Sequence, residues 1–229
     1  MNFPQKSLYF GAVLSLLTFW FGTWLKKKTG WAILNPILVS ILLCIAILKL
    51  FRVDYASYEA GAKYIGYLLT PTTVCLAIPL YKQLSLLRQN LAAVIIGIFS
   101  GVMASAASIF AMCLLFGLNH TYYVSLLPKS ITTAIAMGVS EEAGGIVTIT
   151  IACIIITGTL GNIIGESIFK WTHLDNPIAR GLALGTSAHA VGTAKAMELG
   201  EIEGAMSSLA VAVAGLMTVI VVPLVTGLI

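Results

Sequence analysis

The chain has 229 residues, of which 59% are hydrophobic and 10% are charged, and its formal net charge is +4. Soluble domains carry about 25% charged residues, so this composition excludes an ordinary globular protein with a water-facing surface. The one dense basic cluster is Lys26–Lys28, and we therefore expect no nucleic-acid partner.

Long runs free of Asp, Glu, Lys and Arg dominate the chain. They predict helices near residues 8–25, 31–50, 64–81, 89–117, 145–170 and 204–228. Alternation with a period of two is absent, and helices are then the way to satisfy backbone groups in lipid. The predicted fold class is an all-α polytopic transmembrane helix bundle of about 6–8 membrane segments, two of them broken or re-entrant. We expect a single domain, 1–229, with halves 1–120 and 121–229.

The first apolar run is predicted to be a retained helix rather than a signal peptide. Lys26–Lys28 follow it, and no small-residue cleavage pattern stands near its end. The positive-inside rule places this lysine cluster in the cytoplasm and the N-terminus outside. Alternation of the helices then places Lys82 and Arg88 inside as well.

Segments 122–142 and 181–199 are less regular than the other apolar segments. If 122–142 crossed the membrane, Lys170 and Arg180 would lie outside, against the positive-inside rule. If it enters and returns, both residues lie inside. The charge bias therefore predicts a re-entrant segment at 122–142, whereas 181–199 is left open between crossing and returning.

A short internal similarity links residues 68–79 with residues 126–138. In both places Pro and neighbouring hydroxyl residues precede a short apolar stretch, and a long charge-free helix follows. Paired segments of this kind mark the binding sites of secondary transporters. The similarity indicates an internal repeat, with a chance match as the alternative.

Polar side chains concentrate within apolar sequence at residues 128–145. This stretch supplies one cation and three hydroxyls, from Lys129, Ser130, Thr132 and Thr133. A helix beginning at Pro128 would direct free N–H groups and its positive dipole end at an anion. The alternative is structural, with Lys129 reaching the interface and the hydroxyls bonding to backbone carbonyls.

A second polar stretch, 179–200, combines glycines with hydroxyls, an imidazole and cations. Its polar residues include Arg180, Thr186, Ser187, His189, Thr193 and Lys195. His189 is the only ionisable side chain between the two cations, which makes it the predicted residue for proton coupling. A hydrogen-bonded structural histidine is the alternative, and Lys195 with its neighbouring acids can instead mark a water interface.

The acidic residues favour structural roles. Glu141 and Glu142 are adjacent, so on a helix they would point about 100° apart and could not form a facing pair. Glu166 is predicted to pair with Lys170 at i,i+4. No metalloprotease run, nucleophilic serine turn or clustered Cys/His ligand set occurs in the sequence. We therefore expect no catalytic residue, no metal site and no cofactor.

The chain carries two long motifs, LLPKSITTAIAMGVSEEAGG (126–145) and NPIARGLALGTSAHAVGTAKAMELGEIEGAMSSLA (176–210). They resemble signatures of the LrgB/CidB family of bacterial membrane proteins, and LNPILVS (34–40) and CLAIPLYKQ (75–83) resemble its N-terminal half. The resemblance covers essentially the whole chain. Ala134 and Gly138 stand where many members have Pro and an acidic residue, and Lys195 where many have Arg, which puts the substrate preference in doubt.

The resemblance implies one of two functions. Related plastid proteins exchange glycolate and glycerate, and bacterial pairs are linked to pyruvate uptake, so one expectation is a transporter, or transport subunit, for a small monocarboxylate. The other is a holin- or antiholin-like regulator of murein hydrolase activity and autolysis. The resemblance also implies the bacterial cytoplasmic membrane, a small LrgA/CidA-type partner protein, and an oligomer, either a homodimer or a hetero-oligomer.

The predicted substrate site lies where the two broken segments meet near mid-membrane. A small carboxylate needs a cation, hydroxyl donors and a helix N-terminus, and the two polar stretches supply these groups. The predicted lining is Lys129, Ser130, Thr132, Thr133, Ser187, His189 and Thr193. Arg180 and Lys195 are predicted to attract or gate the anion.

Overall fold

A computed structural model describes residues 9–31, 34–68 and 84–229, together with residues 71, 75, 78 and 81. Every regular element among these residues is helical, which confirms the predicted all-α fold class. The chain divides into two compact units, Met1–Cys75 and Leu76–Ile229.

The first unit contains three helices: α1 (Phe10–Thr29), α2 (Pro36–Leu50) and α3 (Tyr55–Gly66). Asn35 caps α2, as the Asn-Pro pair predicts, because its side chain accepts from the Ile37 N–H at 2.8 Å. Helix α1 packs on α3 through Gly11, where a Cβ would collide with the Tyr58 carbonyl. A helix cap and a close backbone contact therefore organise this three-helix unit.

Helix α3 differs from the sequence prediction, which placed a helix at 64–81. Helix α3 shares only residues 64–66 with that prediction and starts at Tyr55 because Asp54 caps it, accepting from the Ala56 N–H at 3.2 Å. Charged residues interrupt the apolar pattern of this segment, so that pattern does not predict a helix here. Within the predicted range, the described residues 71, 75, 78 and 81 are also helical. Most of 69–83 lies outside the described residues. The first half of the similarity between 68–79 and 126–138 and the predicted cytoplasmic location of Lys82 both fall in this range.

The second unit is built around three long apolar helices. Its helices are α4 (Leu84–Gln89), α5 (Leu91–Phe116), α6 (His120–Leu126), α7 (Thr133–Glu142), α8 (Val147–Trp171), α9 (Pro177–Leu199) and α10 (Glu201–Val225). Helices α5, α8 and α10, the last with the turn that follows it, are long and apolar enough to cross a membrane. These three helices lie within a few residues of their predicted bounds.

Helices α6 and α7 form a hairpin, called here the first hairpin (His120–Glu142). Helix α6 begins beside the C-terminus, where His120 Nδ1 lies 2.7 Å from the Ile229 carbonyl oxygen. After the turn at 128–131 the chain comes back, because the Ile146 N–H donates to Ser125 Oγ of α6 at 2.7 Å. The segment enters the bundle and returns, as the charge bias predicts.

Helix α9 is also a hairpin, called here the second hairpin (Pro177–Leu199). Its helical path breaks at Ala188 and at His189, where φ is 43° and ψ is −139°. A Cβ at Gly192 would collide with the Leu184 carbonyl oxygen, so positions four residues before and after Ala188 lie side by side. The segment returns, which decides between the two alternatives that the sequence left open.

The long helix α10 holds both hairpins, one along each half. Its C-terminal half contacts the first hairpin, with Val225 accepting from the Tyr123 hydroxyl at 3.0 Å. Its N-terminal half contacts the second hairpin, where Gly185 lies directly against the Ser207 backbone and Thr193 Oγ1 lies 2.8 Å from Ser207 Oγ. The two hairpins thus enter from opposite ends of α10 and point toward each other.

Candidate functional site

The turns of the two hairpins converge on one residue of α8. Ile154 is fully buried and packs with Ile131 and Ala136 of the first hairpin. Its carbonyl oxygen lies 3.1 Å from Nε2 of His189, at the break of the second hairpin. The two polar stretches singled out in the sequence therefore meet inside the second unit.

A cavity of about 980 Å³ lies between α5, α8 and the first limb of the second hairpin. It extends along α5 from Asn90 to Ser108, which at 1.5 Å per residue is about 27 Å. Most of its wall is apolar or small, and the residues that supply this character are Ala93, Gly97, Gly101, Ala104, Leu160, Gly161, Ile164, Ile168, Leu182 and Leu184. Lys129 and the hydroxyls of Ser105 and Ser130 line the end near the turn of the first hairpin, called here the deep end, and Asn90 and Asn176 line the other end.

Lys129 brings a cation to this deep end. Its Nζ donates to Ser130 Oγ at 3.1 Å, and Ser130 Oγ lies 3.1 Å from Ser105 Oγ on α5. Among residues 84–229 and the other described positions, no carboxylate lies within 4.0 Å of Lys129. The result is an ammonium that lines an open space beside two linked hydroxyls, with no carboxylate of the described residues at ion-pair distance.

The start of α7, at Thr133, lies five residues after the predicted start at Pro128. Pro128 does not begin a helix; it follows α6, and a turn at 128–131 separates the two helices. Thr132 has an extended backbone (ψ 142°), so α7 starts at Thr133. The prediction of a helix N-terminus at Pro128 is wrong, because the chain forms a turn after Pro128 and the extended residue Thr132 precedes the helix. Thr132 and Thr133 are partly buried and do not line the cavity.

The predicted residues of the second hairpin separate into two groups. Ser187 lines the cavity, with its hydroxyl donating to the Ala183 carbonyl at 2.6 Å. His189 instead places its ring against α8 at Gly158, where a Cβ would lie 2.6 Å from Nε2. Thr193 contacts α10, and neither His189 nor Thr193 lines the cavity. Their observed contacts hold the hairpin against the long helices.

The two cations predicted to attract or gate the anion both have acidic partners. Arg180 Nη2 lies 2.8 Å from Asp175 Oδ1. Lys195 lies 2.9 Å from Glu166 and 3.4 Å from Glu198. Glu166 also pairs with Lys170 at 3.0 Å, the i,i+4 contact that the sequence predicts. These charges are compensated, which distinguishes them from Lys129.

Two residues of the deep end were missed by sequence reasoning. Ser105 lies in the run 89–117, where the absence of charged residues predicts an apolar helix and does not single out a polar site. Thr186 was noted as polar but left out of the predicted lining. A signal for Ser105 was present, because Gly97, Gly101, Ser105 and Ser108 recur at the spacing of one helix face.

Residues 15–228 match the LrgB-like family. The chain belongs to this family. A relative named antiholin-like protein LrgB, from Bacillus subtilis (strain 168), is 40% identical over 224 residues, covering 97% of each chain. LrgB proteins of the same name from Bacillus cereus (strain B4264) and Bacillus anthracis (strain CDC 684 / NRRL 3495) are 39% identical over 217 residues, or 94% of each chain.

Membership of the LrgB-like family confirms the resemblance read from the two long motifs, which lie within the matched residues. It identifies the protein as an antiholin-like family membrane protein. No solved structure matches the chain. The geometry of the deep end of the cavity therefore carries the functional argument.

Proposed function

We propose that this protein transports a small monocarboxylate, such as pyruvate, glycolate or glycerate, alone or as the transport subunit of a complex. The observation that carries the proposal is Lys129, a cation without a carboxylate partner among the described residues at the deep end of a cavity of about 980 Å³. A charge in the core of a membrane protein costs at least about 2.5 kcal/mol and is normally retained for a function.

The groups beside Lys129 match a carboxylate. An ammonium and a carboxylate form a charge-assisted hydrogen bond, about twice as strong as a neutral one. Ser130 supplies a hydroxyl that contacts the ammonium directly, and the hydroxyl of Ser105 contacts that of Ser130. The apolar remainder of the wall offers few polar partners, which favours a small anion with few polar groups over a sugar or a peptide.

The cavity also reaches the end of the unit where basic residues collect. Asn90 and Asn176 line it there, next to Arg88, Lys170 and Arg180 in sequence. Acidic residues occur at this end as well, since Glu166 pairs with Lys170 and Asp175 pairs with Arg180. In this proposal the end of the unit that carries Arg88, Lys170 and Arg180 faces the cytoplasm of a bacterial cell, as the positive-inside rule predicts from its Lys and Arg residues.

The predicted site residues take distinct roles in this proposal. Lys129, Ser130 and Ser187 contact the anion. Thr132 and Thr133, at the start of α7, shape the turn that carries Lys129 and Ser130. His189 and Thr193 position the second hairpin through α8 and α10. Arg180 and Lys195 gate the anion in this proposal, because their acidic partners compensate the charge that would attract it.

A second function is favoured by the relatives' names, which describe antiholin-like proteins. In that function the protein regulates autolysis through assembly, together with a small LrgA/CidA-type membrane protein or as a homo-oligomer. A regulatory assembly needs no specific anion site, and a lytic pore passes unrelated solutes. These consequences separate it from a carrier.

Counterflow in proteoliposomes tests the proposal. Vesicles containing the purified protein are loaded with unlabelled pyruvate or glycolate and supplied with the labelled acid outside. A carrier gives saturable, transient accumulation that related monocarboxylates compete for, while entrapped carboxyfluorescein stays inside. Leakage of carboxyfluorescein without saturation would contradict the proposal. Accumulation absent both alone and with a coexpressed LrgA/CidA-type protein would also contradict it.

A further inference from the structure

Thr186 carries a buried hydroxyl with no hydrogen-bond partner. It lies on the first limb of the second hairpin, two residues before the break, and is 8% exposed. Within the part of the chain that the structure describes, it is the one buried side-chain polar atom left without a partner. Neighbouring Ser187 satisfies its hydroxyl on a carbonyl of its own helix, and Thr186 does not.

Gly101 of α5 holds the Thr186 side chain in this state. A Cβ at position 101 would lie 2.7 Å from the Thr186 γ-methyl group, so only glycine leaves room for the methyl at its present position. With the methyl seated against α5, the hydroxyl is kept out of that contact. The packing of α5 against the second hairpin therefore fixes the position of the unpartnered hydroxyl.

Thr186 shares its surroundings with the polar groups beside Lys129. It lines the large cavity together with Lys129, Ser130 and Ser105. It also lines a small adjoining space of about 10 Å³ with Ser130 and Ser105. The side chains of Thr186 and Lys129 therefore border the same cavity.

A buried hydroxyl without a partner is unfavourable, because it has lost water and gained nothing in return. Such an exception in a folded protein calls for a ligand, an ordered water or a catalytic role. A hydroxyl can donate one hydrogen bond and accept others, so it suits a ligand oxygen that is either a carbonyl or a hydroxyl.

Resting on the proposed function, we propose that Thr186 determines specificity by hydrogen-bonding the oxygen on C2 of the substrate while Lys129 holds the carboxylate. Pyruvate, glycolate and glycerate, the acids of the proposed function, all carry such an oxygen, and the simple fatty acid of the same length is then a poorer substrate. A rotating hydroxyl accepts both oxidation states, because it donates to a 2-oxo group and either donates to or accepts from a 2-hydroxy group.

An ordered water is the competing occupant. The small space beside Thr186 is close to the volume that one water needs. A water held there would satisfy Thr186 and Ser130 in every substrate complex. In that case the Thr186 hydroxyl would have no influence on the choice between substrates.

Competition against labelled pyruvate tests the proposal, using lactate and propionate, which share a carbon chain and differ by the 2-hydroxyl. Wild-type protein in proteoliposomes should prefer lactate by about 3- to 10-fold, the value of one net hydrogen bond. Thr186→Val should abolish this preference by weakening lactate while leaving propionate unchanged. Thr186→Ser, which keeps the hydroxyl, should preserve the preference.

Thr150→Val serves as the matched control. The Thr150 hydroxyl is satisfied, since it donates to the Ser125 carbonyl at 2.8 Å, and Thr150 does not line the cavity. This variant should lower thermal stability and keep the lactate preference, whereas Thr186→Val should not lower stability. If Thr186→Val keeps the preference, or weakens both acids equally, the role of Thr186 is overturned and the proposed transport stands. If the wild type takes up no monocarboxylate, the proposed transport function is itself contradicted, and with it the role of Thr186.

Discussion

Replacing Lys129 with Gln removes a cation from the deep end of the cavity while keeping a polar side chain of similar length. In the structure the ammonium has a hydroxyl partner and no carboxylate among the described residues. A charge-assisted hydrogen bond contributes about 1.5–3 kcal/mol. We therefore expect the half-saturation concentration for pyruvate to rise roughly 10- to 150-fold.

The same change should leave the fold intact. Lys129 makes no ion pair that holds two described helices together, and glutamine can still bond Ser130. Removing a charge from apolar surroundings also relieves its desolvation cost. Thermal unfolding in detergent should therefore show a midpoint equal to or above that of the wild type, in contrast to a variant that fails because it misfolds.

Counterflow kinetics over a range of pyruvate concentrations provide the measurement, with Lys170→Gln as the matched control. Lys170 is 74% exposed, pairs with Glu166 one turn away, and lies outside the cavity lining. Its replacement should change the half-saturation concentration less than twofold, since exposed pairs contribute little. Lys129→Arg should retain part of the affinity because it keeps the charge. Equal affinity in wild type and Lys129→Gln would refute the assignment of the anion site.

Three further changes probe the architecture around the site. Gly192→Val should stop the two limbs of the second hairpin from closing, because a Cβ there meets the opposite backbone. We expect loss of folded protein in size-exclusion chromatography. Gly138→Ala, at an exposed position, serves as a neutral control. Lys195→Gln leaves its acidic partner on α8 with one cation fewer, so the thermal midpoint should fall, and a rescue by Lys195→Arg would confirm that the charge matters. Gly101→Ala should displace the side chain of Thr186 and reduce the lactate preference without abolishing uptake; an unchanged preference would contradict the contact.

The long helices could be predicted because a membrane span is a property of continuous sequence. Uninterrupted apolar runs gave α5, α8 and α10 to within a few residues. Local caps were also readable, as at Asn35. Helix α3 was missed because its charged residues interrupt the apolar run, while its actual start depends on a single cap at Asp54.

The hairpins were predicted only in part. Charge bias at Lys170 and Arg180 indicated that 122–142 returns, because lipid penalises charge on the wrong side. For 181–199 no charge decided the direction, and the return rests on a break at His189 and on Gly192 fitting against the first limb. Such a contact joins residues across a turn, where periodicity along one helix carries no information.

The sequence by itself determined that this is an all-α membrane protein of the LrgB-like family and that its polarity is concentrated in two stretches. Only the tertiary structure decided which polar residues share a space. It brings Ser105, Ser130 and Thr186 together with Lys129, and it places His189 and Thr193 against neighbouring helices instead. The physical reason is that composition fixes the cost of burying a polar group, whereas its partner is chosen by the packing of helices distant in sequence.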